Sequence, residues 1–439
     1  MTNRKHLAMC RIIKKIAAVA FIMAMTFSLP LTAQENVITL YGKVTDCTSG
    51  EALFFSSVNL EGTRISNISN SEGIFSFKVP STSPEDASIV VSHLGYLSKT
   101  LKISDFNKAS SEKPLAITLF PVSLNLNPSV VRSVDAKSLF QSAFYRVKYN
   151  YPQEKLGMTA FYREMIKQGA NRYLVLNEAV LDIDKAPYSG YSLDKVGIYK
   201  GRGTINYESS DTLFVKLQGG VNTALNLDVV KNPFIGTTVI DAERFYDFSV
   251  EGVSTIDTRS FFMLGFKTKA DVEDILFKGR MYIESESLAI ARIEFEMDLE
   301  GREEEASRFF IVKSSPKMRY EVTKAEYIIN YKEFEGLWYY DYCCVDVDFV
   351  ARKQHSLFRR NFSIKEEMVM TDHKSGGIAI EPASRLKFKD ILSDRIADYE
   401  DDGFWEDYNI IEPDKSIDDI VKRIIRQLNR RQHKASSTP

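Results

Sequence analysis

The sequence predicts a mainly β protein. An N-terminal transthyretin- or Ig-like antiparallel β-sandwich is followed by a large twisted antiparallel sheet, open and half-barrel-like, with a few flanking helices. Three observations carry this reading. Up to about residue 121, short alternating segments recur every eight to twelve residues or so between Gly, Asn and Ser turns. From Met158 the alternation lengthens into runs such as MTAFYREMIKQ and RYLVLNEAVLDID. Helical spacing is confined to one stretch before these strands and one after them.

The chain opens on MTNRKHLAMCRIIKK, where Arg4, Lys5, Arg11, Lys14 and Lys15 stand without an acid. The apolar run IAAVAFIMAMTFSL follows, then Pro30 and Ala33. Residues 1–33 therefore read as a secretory signal peptide cut after Ala33, with an apolar core too short to serve comfortably as an anchor. Cys10 precedes the apolar core, the wrong side for lipid attachment at a cleavage site, so no lipid anchor is expected. Cleavage leaves 52 of the 57 basic residues against 59 acidic ones and takes the net charge from −2 to −7. A mildly acidic surface does not seek nucleic acid or anionic lipid. The expected location is the periplasm or the periplasmic face of the outer membrane.

Cys47, Cys343 and Cys344 remain after cleavage. An odd number argues against a disulfide framework, and adjacent cysteines on a strand point to opposite faces. Free or buried thiols are expected.

Within residues 35–121, VITLYGKVTD, SVNLEG, SIVVSHLGY, LSKTLKI and LAITLF all read as strands. IFSFKVP places Phe75, Phe77 and Val79 on one face and Ser76 and Lys78 on the other. The preceding Asn70-Ser-Glu-Gly73 is either a ligand-gripping loop or a turn that aims this strand. Gly73 can supply the positive φ of a tight turn, and Asn70 and Ser71 can satisfy its free backbone groups, so the turn is preferred.

Gly42-Lys-Val-Thr-Asp46, Ser49-Gly50-Glu51, Val58-Asn59-Leu60-Glu61-Gly62, Asn70 to Phe75 and Ser92-His93-Leu94-Gly95-Tyr96 together resemble the carboxypeptidase regulatory-like domain of Bacteroidetes envelope proteins. The resemblance rests above all on Gly42, Gly73, Phe75, Gly95 and Tyr96. It implies a transthyretin-like sandwich and an envelope compartment, not a reaction. A peptidase is not implied: His6, His93, His355, His373 and His433 are the only histidines, and none stands in H-x-x-E or H-E-x-x-H. His93, at a strand end, reads as structural.

After a polar connector at residues 122–133, Ser133 is placed to cap a helix in which Ala136, Leu139, Phe140, Ala143, Phe144 and Val147 follow helical spacing. The β-rich region over residues 134–393 then reads as one antiparallel meander. Gly169-Ala170-Asn171 joins its first hairpin, and Glu284 to Ser287 joins another. NYP, AFYRE, KGRMYIESESLAIARIEF and FWEDYNIIEP resemble Bacteroidetes proteins that pair the regulatory-like sandwich with such a region. The KGRMYIE…LAIARIEF hairpin is also similar to the open half-barrel of lipoprotein carriers, which implies a concave apolar face.

Asp346 and Asp348 share a strand face with Cys344, opposite Cys343, Val345, Val347 and Phe349. Paired carboxylates can hold a cation or move a proton, but a solvated strand face explains them more simply. Asp182 and Asp184 are read the same way. In residues 394–439, Asp398, Glu400, Asp402 and Gly403 match four positions of a calcium loop, a match that fails at Glu400 and at Asn409. They are weak metal candidates in what otherwise reads as an acidic turn with Phe404 and Trp405. Gly201-Arg202-Gly203 is too short to cradle a phosphate. Ser416 and Asp419 form a capping pair ahead of an amphipathic helix through Leu428, and KASSTP ends without a terminal aromatic.

No nucleophile elbow, phosphate loop or zinc spacing is present, and no cofactor is expected. The leading expectation is a non-catalytic envelope binding or assembly protein with an envelope protein partner, such as an outer-membrane receptor or barrel. Carriage or sensing of a lipid or glycan on a curved sheet is the alternative. An unrecognised hydrolase is the third reading.

Overall fold

Gly73 turns the chain with φ +75°, a conformation that costs a side chain but not a glycine, and a Cβ there would lie 2.4 Å from the Val44 carbonyl oxygen. The turn launches a strand whose Phe75 ring reaches against Gly42, directly opposite it in register. A Cβ on Gly42 would sit 2.3 Å from that ring, so the diagnostic glycine is there to admit the aromatic.

The computed structural model describes residues 36–122, 134–170, 172–205, 220–233, 242–256, 259–310, 318–354, 356, 358–399, 407–414 and 417. Met1–Asn36 group apart from Val37–Pro439, and the predicted leader, Ser133, Glu400, Asp402 and the C-terminal helix beyond Ile417 lie outside the described residues.

The sandwich contains β1 (Val37–Asp46), β2 (Ser57–Leu60), β3 (Ser66–Ile68), β4 (Ile74–Pro80), β5 (Ser88–Ser92), β6 (Lys99–Lys102) and β7 (Leu115–Leu119). One sheet runs β4-β1-β7 and the other β3-β2-β5-β6. Its core includes Val44, Val58, Phe75, Phe77, Val91 and Ile117. The expectation of a wholly antiparallel sandwich is corrected at one place, because β7 pairs parallel to β1. It returns from the opposite sheet through a 3-10 turn at Ile103–Phe106, and such a crossover delivers it in the same direction as β1.

The leading helix, α1 (Ala136–Tyr145), begins two residues later than Ser133 would place it. Asp135 is its cap, accepting from the Ser138 N–H at 2.8 Å. α2 (Val147–Asn150) ends it, and α3 (Gly220–Asn226) follows later. The long strands are β8 (Leu156–Gln168), β9 (Arg172–Lys185), β10 (Lys195–Ile205), β11 (Tyr246–Ile256), β12 (Arg259–Thr268), β13 (Phe277–Glu284), β14 (Ile290–Met297), β15 (Met318–Phe334), β16 (Leu337–Lys353) and β17 (Arg359–Ser375).

These strands form one antiparallel sheet in the order β10-β9-β8-β17-β16-β15-β14-β13-β12-β11, open at β10 and β11. The expected simple meander is broken once. After β10 the chain crosses to the far edge and winds back, so that β17 lands beside β8. The β10 edge is covered where Ile198 and Val196 exchange backbone bonds with Ser384 and Leu386 at 3.0 and 2.9 Å.

Alternation gives the sheet two different faces. On one, Met158, Ala160, Tyr162, Leu181, Cys343 and Ile293 join the main core. The helices roof this face: Phe140 of α1 stacks on Phe248 of β11 at 4.4 Å, and Tyr340 donates to the Ala224 carbonyl of α3 at 2.6 Å. Full burial of a ring such as Phe140 contributes about 2–3 kcal/mol. The apolar face implied by the half-barrel likeness is thus present, and among the described residues it is packed by helices. The other face carries Phe161, Arg163, Glu178 and Tyr342, and part of the sandwich lies on it.

Candidate functional site

The NSEG turn does more than aim β4. Asn70 Oδ1 accepts from the N–H groups of Glu72 and Ile74 at 3.0 and 2.9 Å, closing the turn, while its Nδ2 donates to the Glu412 carbonyl at 3.2 Å. Three further side chains hold the same distant segment. Asn67 Nδ2 bridges the carbonyls of Ser76 and Ile410 at 2.8 and 2.9 Å. Lys78 Nζ donates to the Tyr408 carbonyl at 2.7 Å, and Arg163 on β8 donates to that of Ile411 at 2.6 Å. Asn409 returns the contact, accepting from the Lys78 N–H at 2.7 Å and donating to its carbonyl at 3.0 Å.

Residues 408–412 therefore run along a seam between sandwich and sheet. Ile410 and Ile411 are buried there with Phe55, Ile68, Phe161, Tyr342, Cys344 and Val369. Ser76 and Lys78 on β4, and Cys344 on β16, are buried because this segment and the sandwich cover what would otherwise be outer faces. For Cys344 this corrects the expected solvated face, though Asp346 and Asp348 farther along remain half-exposed and share Lys324 at 2.8 and 3.6 Å.

Behind Arg163 lies a buried ionic triad. Glu178 takes Arg163 Nε at 2.7 Å on one oxygen and Arg202 Nε at 2.7 Å on the other. Burial alone would raise the Glu178 carboxyl, but Arg202 and Arg163 outweigh it and hold the group below the ordinary range. Gly201 and Gly203 are close-packing positions, where a Cβ would meet Ile396 at 2.6 Å and Asn177 Oδ1 at 2.3 Å.

One residue along each strand, on the helix-roofed face, stands a different pair. Glu164 and Glu366 are directly opposite on β8 and β17 and both are buried. Glu164 accepts from Asn177 Nδ2 at 2.7 Å and Tyr162 Oη at 3.2 Å. Glu366 is pushed up to about 8, by burial first and then by Glu164. The pair can hold one proton between them at neutral pH.

At the end of β9, Lys185 Nζ contacts Asp228 at 2.6 Å and Asp194 at 2.8 Å, and Lys231 Nζ reaches Asp194 at 2.7 Å. Tyr331 donates to Asp228 at 2.9 Å. Burial would lower the Lys185 ammonium, but Asp228 and Asp194 outweigh it and raise it. Two positive and two negative groups balance, which suits a pin for the connector between β9 and β10. No sequence motif announces this cluster, since its members come from a strand end and two loops.

The remaining candidates scatter. Asp184 is buried, contacting Lys155 Nζ at 3.2 Å, so its expected solvated face is corrected; the segment at Gly377 and Ile378 covers it. Asp182 is half-buried. Asp398 is exposed in a 3-10 turn at Ile396–Tyr399, and no group of three or more His, Cys, Asp or Glu fit for a metal occurs among the described residues. His93 is half-buried and pushed down to about 4, by burial and then by Arg292. Gly95 takes φ +86° and donates to the Thr255 carbonyl of β11 at 3.2 Å, while burial and Asp46 push the Tyr96 hydroxyl up to about 12. Cys47 is exposed; Cys343 and Cys344 are buried free thiols, Cys343 pushed up to about 12 chiefly by burial. His373 is buried against Tyr339, ring centroids 4.1 Å apart, and is held down to about 3 by burial, then by Arg64 and Lys332.

An open cleft of about 510 Å³ lies among the sheet strands β11 to β15. Glu251, Lys278, Arg280, Glu294, Glu296 and Glu326 line it. Several of these charges already pair within the sheet, Arg280 with Glu251 at 2.6 Å and Lys278 with Glu296 at 3.2 Å.

No curated protein matches the chain. Among solved structures, a DUF1329 family protein from Desulfovibrio piger is 12% identical, covering 58% of this chain and 95% of its own, with a TM-score of 0.24. A Vibrio parahaemolyticus domain whose name refers to outer-membrane lipoprotein sorting is 10% identical over 56% of this chain and 96% of its own, with a TM-score of 0.24. A Bacteroides fragilis protein described as membrane-associated and of unknown function is 11% identical over 77% and 98%, with a TM-score of 0.14. Likenesses this loose carry no argument about the chain. Residues 40–131, which take in nearly all of the sandwich and most of the connector, match the model of the CarboxypepD_reg-like domain.

Proposed function

We propose that the chain is a non-catalytic binding or assembly protein of the cell envelope, with the regulatory-like sandwich and the open sheet acting together as one platform. The seam carries this reading. Four side-chain donors from both layers grip residues 408–412, and a second contact joins Gly95 to Thr255, so the sandwich is fastened to the sheet and not carried as a loose appendage. The buried ionic groups support it as well. Arg163, Glu178 and Arg202 satisfy one another, as do Lys185, Asp194 and Asp228, in the manner of structural networks. The cleft, where charged groups stand beside Phe266, Phe295, Tyr327 and Ile328, offers an exposed surface with both the polar and the apolar contacts of a protein interface.

The test is capture from the native envelope. The full exported chain, cross-linked in place and purified, is expected to bring down one envelope protein in stoichiometric amount. Its charge-reversal variant Lys278→Glu/Arg280→Glu is expected to lose that partner. Recovery of the chain with a bound lipid and no protein, or turnover of an ester, glycan or peptide by the purified chain, would overturn the reading.

A further inference from the structure

We infer that the seam between sandwich and sheet is a binding groove for an extended peptide, filled in this chain by its own residues 408–412. The mode of recognition points there. These residues pair with no strand, yet the carbonyls of Tyr408, Ile410, Ile411 and Glu412 are each taken by a side-chain donor: Lys78, Asn67, Arg163 and Asn70. Donors aimed at main-chain carbonyls read an extended backbone whatever its sequence, as peptide grooves do. Specificity comes from two adjacent apolar side chains, Ile410 and Ile411, sunk among Phe55, Phe161, Tyr342 and Val369. The Asn409 amide meets both backbone groups of Lys78, as a neighbouring strand would, on the free edge of the β4-β1-β7 sheet.

Two costs retained at this place support the inference. Asn67 is fully buried, and its Oδ1 has no hydrogen-bond partner among the described residues. An apolar residue would avoid that cost, and its retention fits the need for a donor toward the Ile410 carbonyl. Phe55, on the groove wall, holds a left-handed φ of 58°, a strained state for a non-glycine residue that tends to persist where function over-determines the backbone. The ligand class is thus an extended peptide with two adjacent β-branched residues. The inference rests on the binding-module reading only for the identity of the natural partner; its own test needs nothing but purified chain and peptide, so either can fail alone.

The probe is a fluorescent synthetic peptide with the sequence of residues 407–414, DYNIIEPD. Its receptor is the full chain carrying Ile410→Ser/Ile411→Ser, which weakens the resident segment. The peptide is expected to bind this variant one to one, about tenfold or more tighter than a peptide with Ser-Ser at the centre, and about tenfold more weakly when Asn67→Ala is added. Wild-type chain, its groove filled, is expected to take up the peptide at least about tenfold less well. A variant that unfolds cooperatively yet binds no peptide overturns the inference, as does binding indifferent to Asn67→Ala and to the Ser-Ser change. Should the variant not fold, hydrogen exchange on the wild-type chain decides. Residues 408–412 are expected to exchange about a hundredfold faster than β8 and β17, because a bound segment opens locally; equal protection overturns the inference. A concentration-dependent dimer that free peptide dissolves would support it and name a second copy as the donor.

Discussion

The two faces of the sheet at β8, β9 and β17 are built one residue apart and have opposite electrostatics. On the seam face, Arg163 and Arg202 close on Glu178 and hold its proton off. On the helix face, Glu164 meets Glu366 in register with hydrogen-bond donors around Glu164 but, among the described residues, no cation paired with either, and Glu366 keeps its proton to about 8. Burial is similar on both sides, so depth does not decide the state of a carboxyl here. What decides it is whether neighbouring strands present guanidinium groups that outweigh burial, as at Glu178, or leave burial unopposed with a second acid added to it, as at Glu366.

The sharpest way to break the contrast is Glu178→Ala. It removes the carboxylate that two buried guanidinium groups share, leaving Arg163 with Glu367 at 4.0 Å as its nearest acid, and the expected loss is about 3–5 kcal/mol in denaturant unfolding. Glu366→Gln should act in the opposite sense and only over part of the pH range. A carboxyl raised in the folded state favours folding most below its unfolded pKa, and that contribution is lost as pH rises through about 8. Wild-type stability should therefore fall between about pH 5 and 9, while the glutamine variant stays flatter and is the more stable by roughly 2–4 kcal/mol at pH 9. Thermal melts across that range check the crossover, and parallel curves would refute a proton retained on Glu366 to about 8. Gly73→Ala tests the turn beneath the seam. With φ +75° and a Val44 oxygen 2.4 Å from the new Cβ, a loss of about 1–3 kcal/mol is expected by the same unfolding measurement. The smallest effect belongs to Asp346→Asn, whose exposed bridge to Lys324 should contribute no more than about 0.5 kcal/mol.

Much of the architecture was legible because alternation is local. The strands around Phe75, Met158 and Ile290, the hairpin at Gly169 and the positive φ of Gly73 all follow from neighbours in sequence. Helix α1 was legible to within its cap, where Asp135 took the place expected of Ser133. What alternation cannot say is whether a polar face stays wet. Lys78 and Asn409 stand 331 positions apart, and Ser66 donates to the Met370 carbonyl across 304. Only the folded chain shows that Ser76, Lys78, Cys344 and Asp184 are covered. The seam was hidden for the same reason: Asn67 and Asn70 look like turn residues until a distant carbonyl arrives beside them.

The return of β17 to the side of β8 has a consequence in time. A chain emerging from its N-terminus makes β8, β9 and β10 early, and they wait through about 150 residues for their central neighbour. Until β17 appears, β8 presents an unpaired edge in the middle of what will become the sheet, the exposed strand that invites pairing with other chains. Pairing of such distant residues is slow, because loop closure precedes any gain from contact. The protein is thus most vulnerable to aggregation while it is nearly complete, and an escort that masks the β8 edge during synthesis would protect it when it most needs protection.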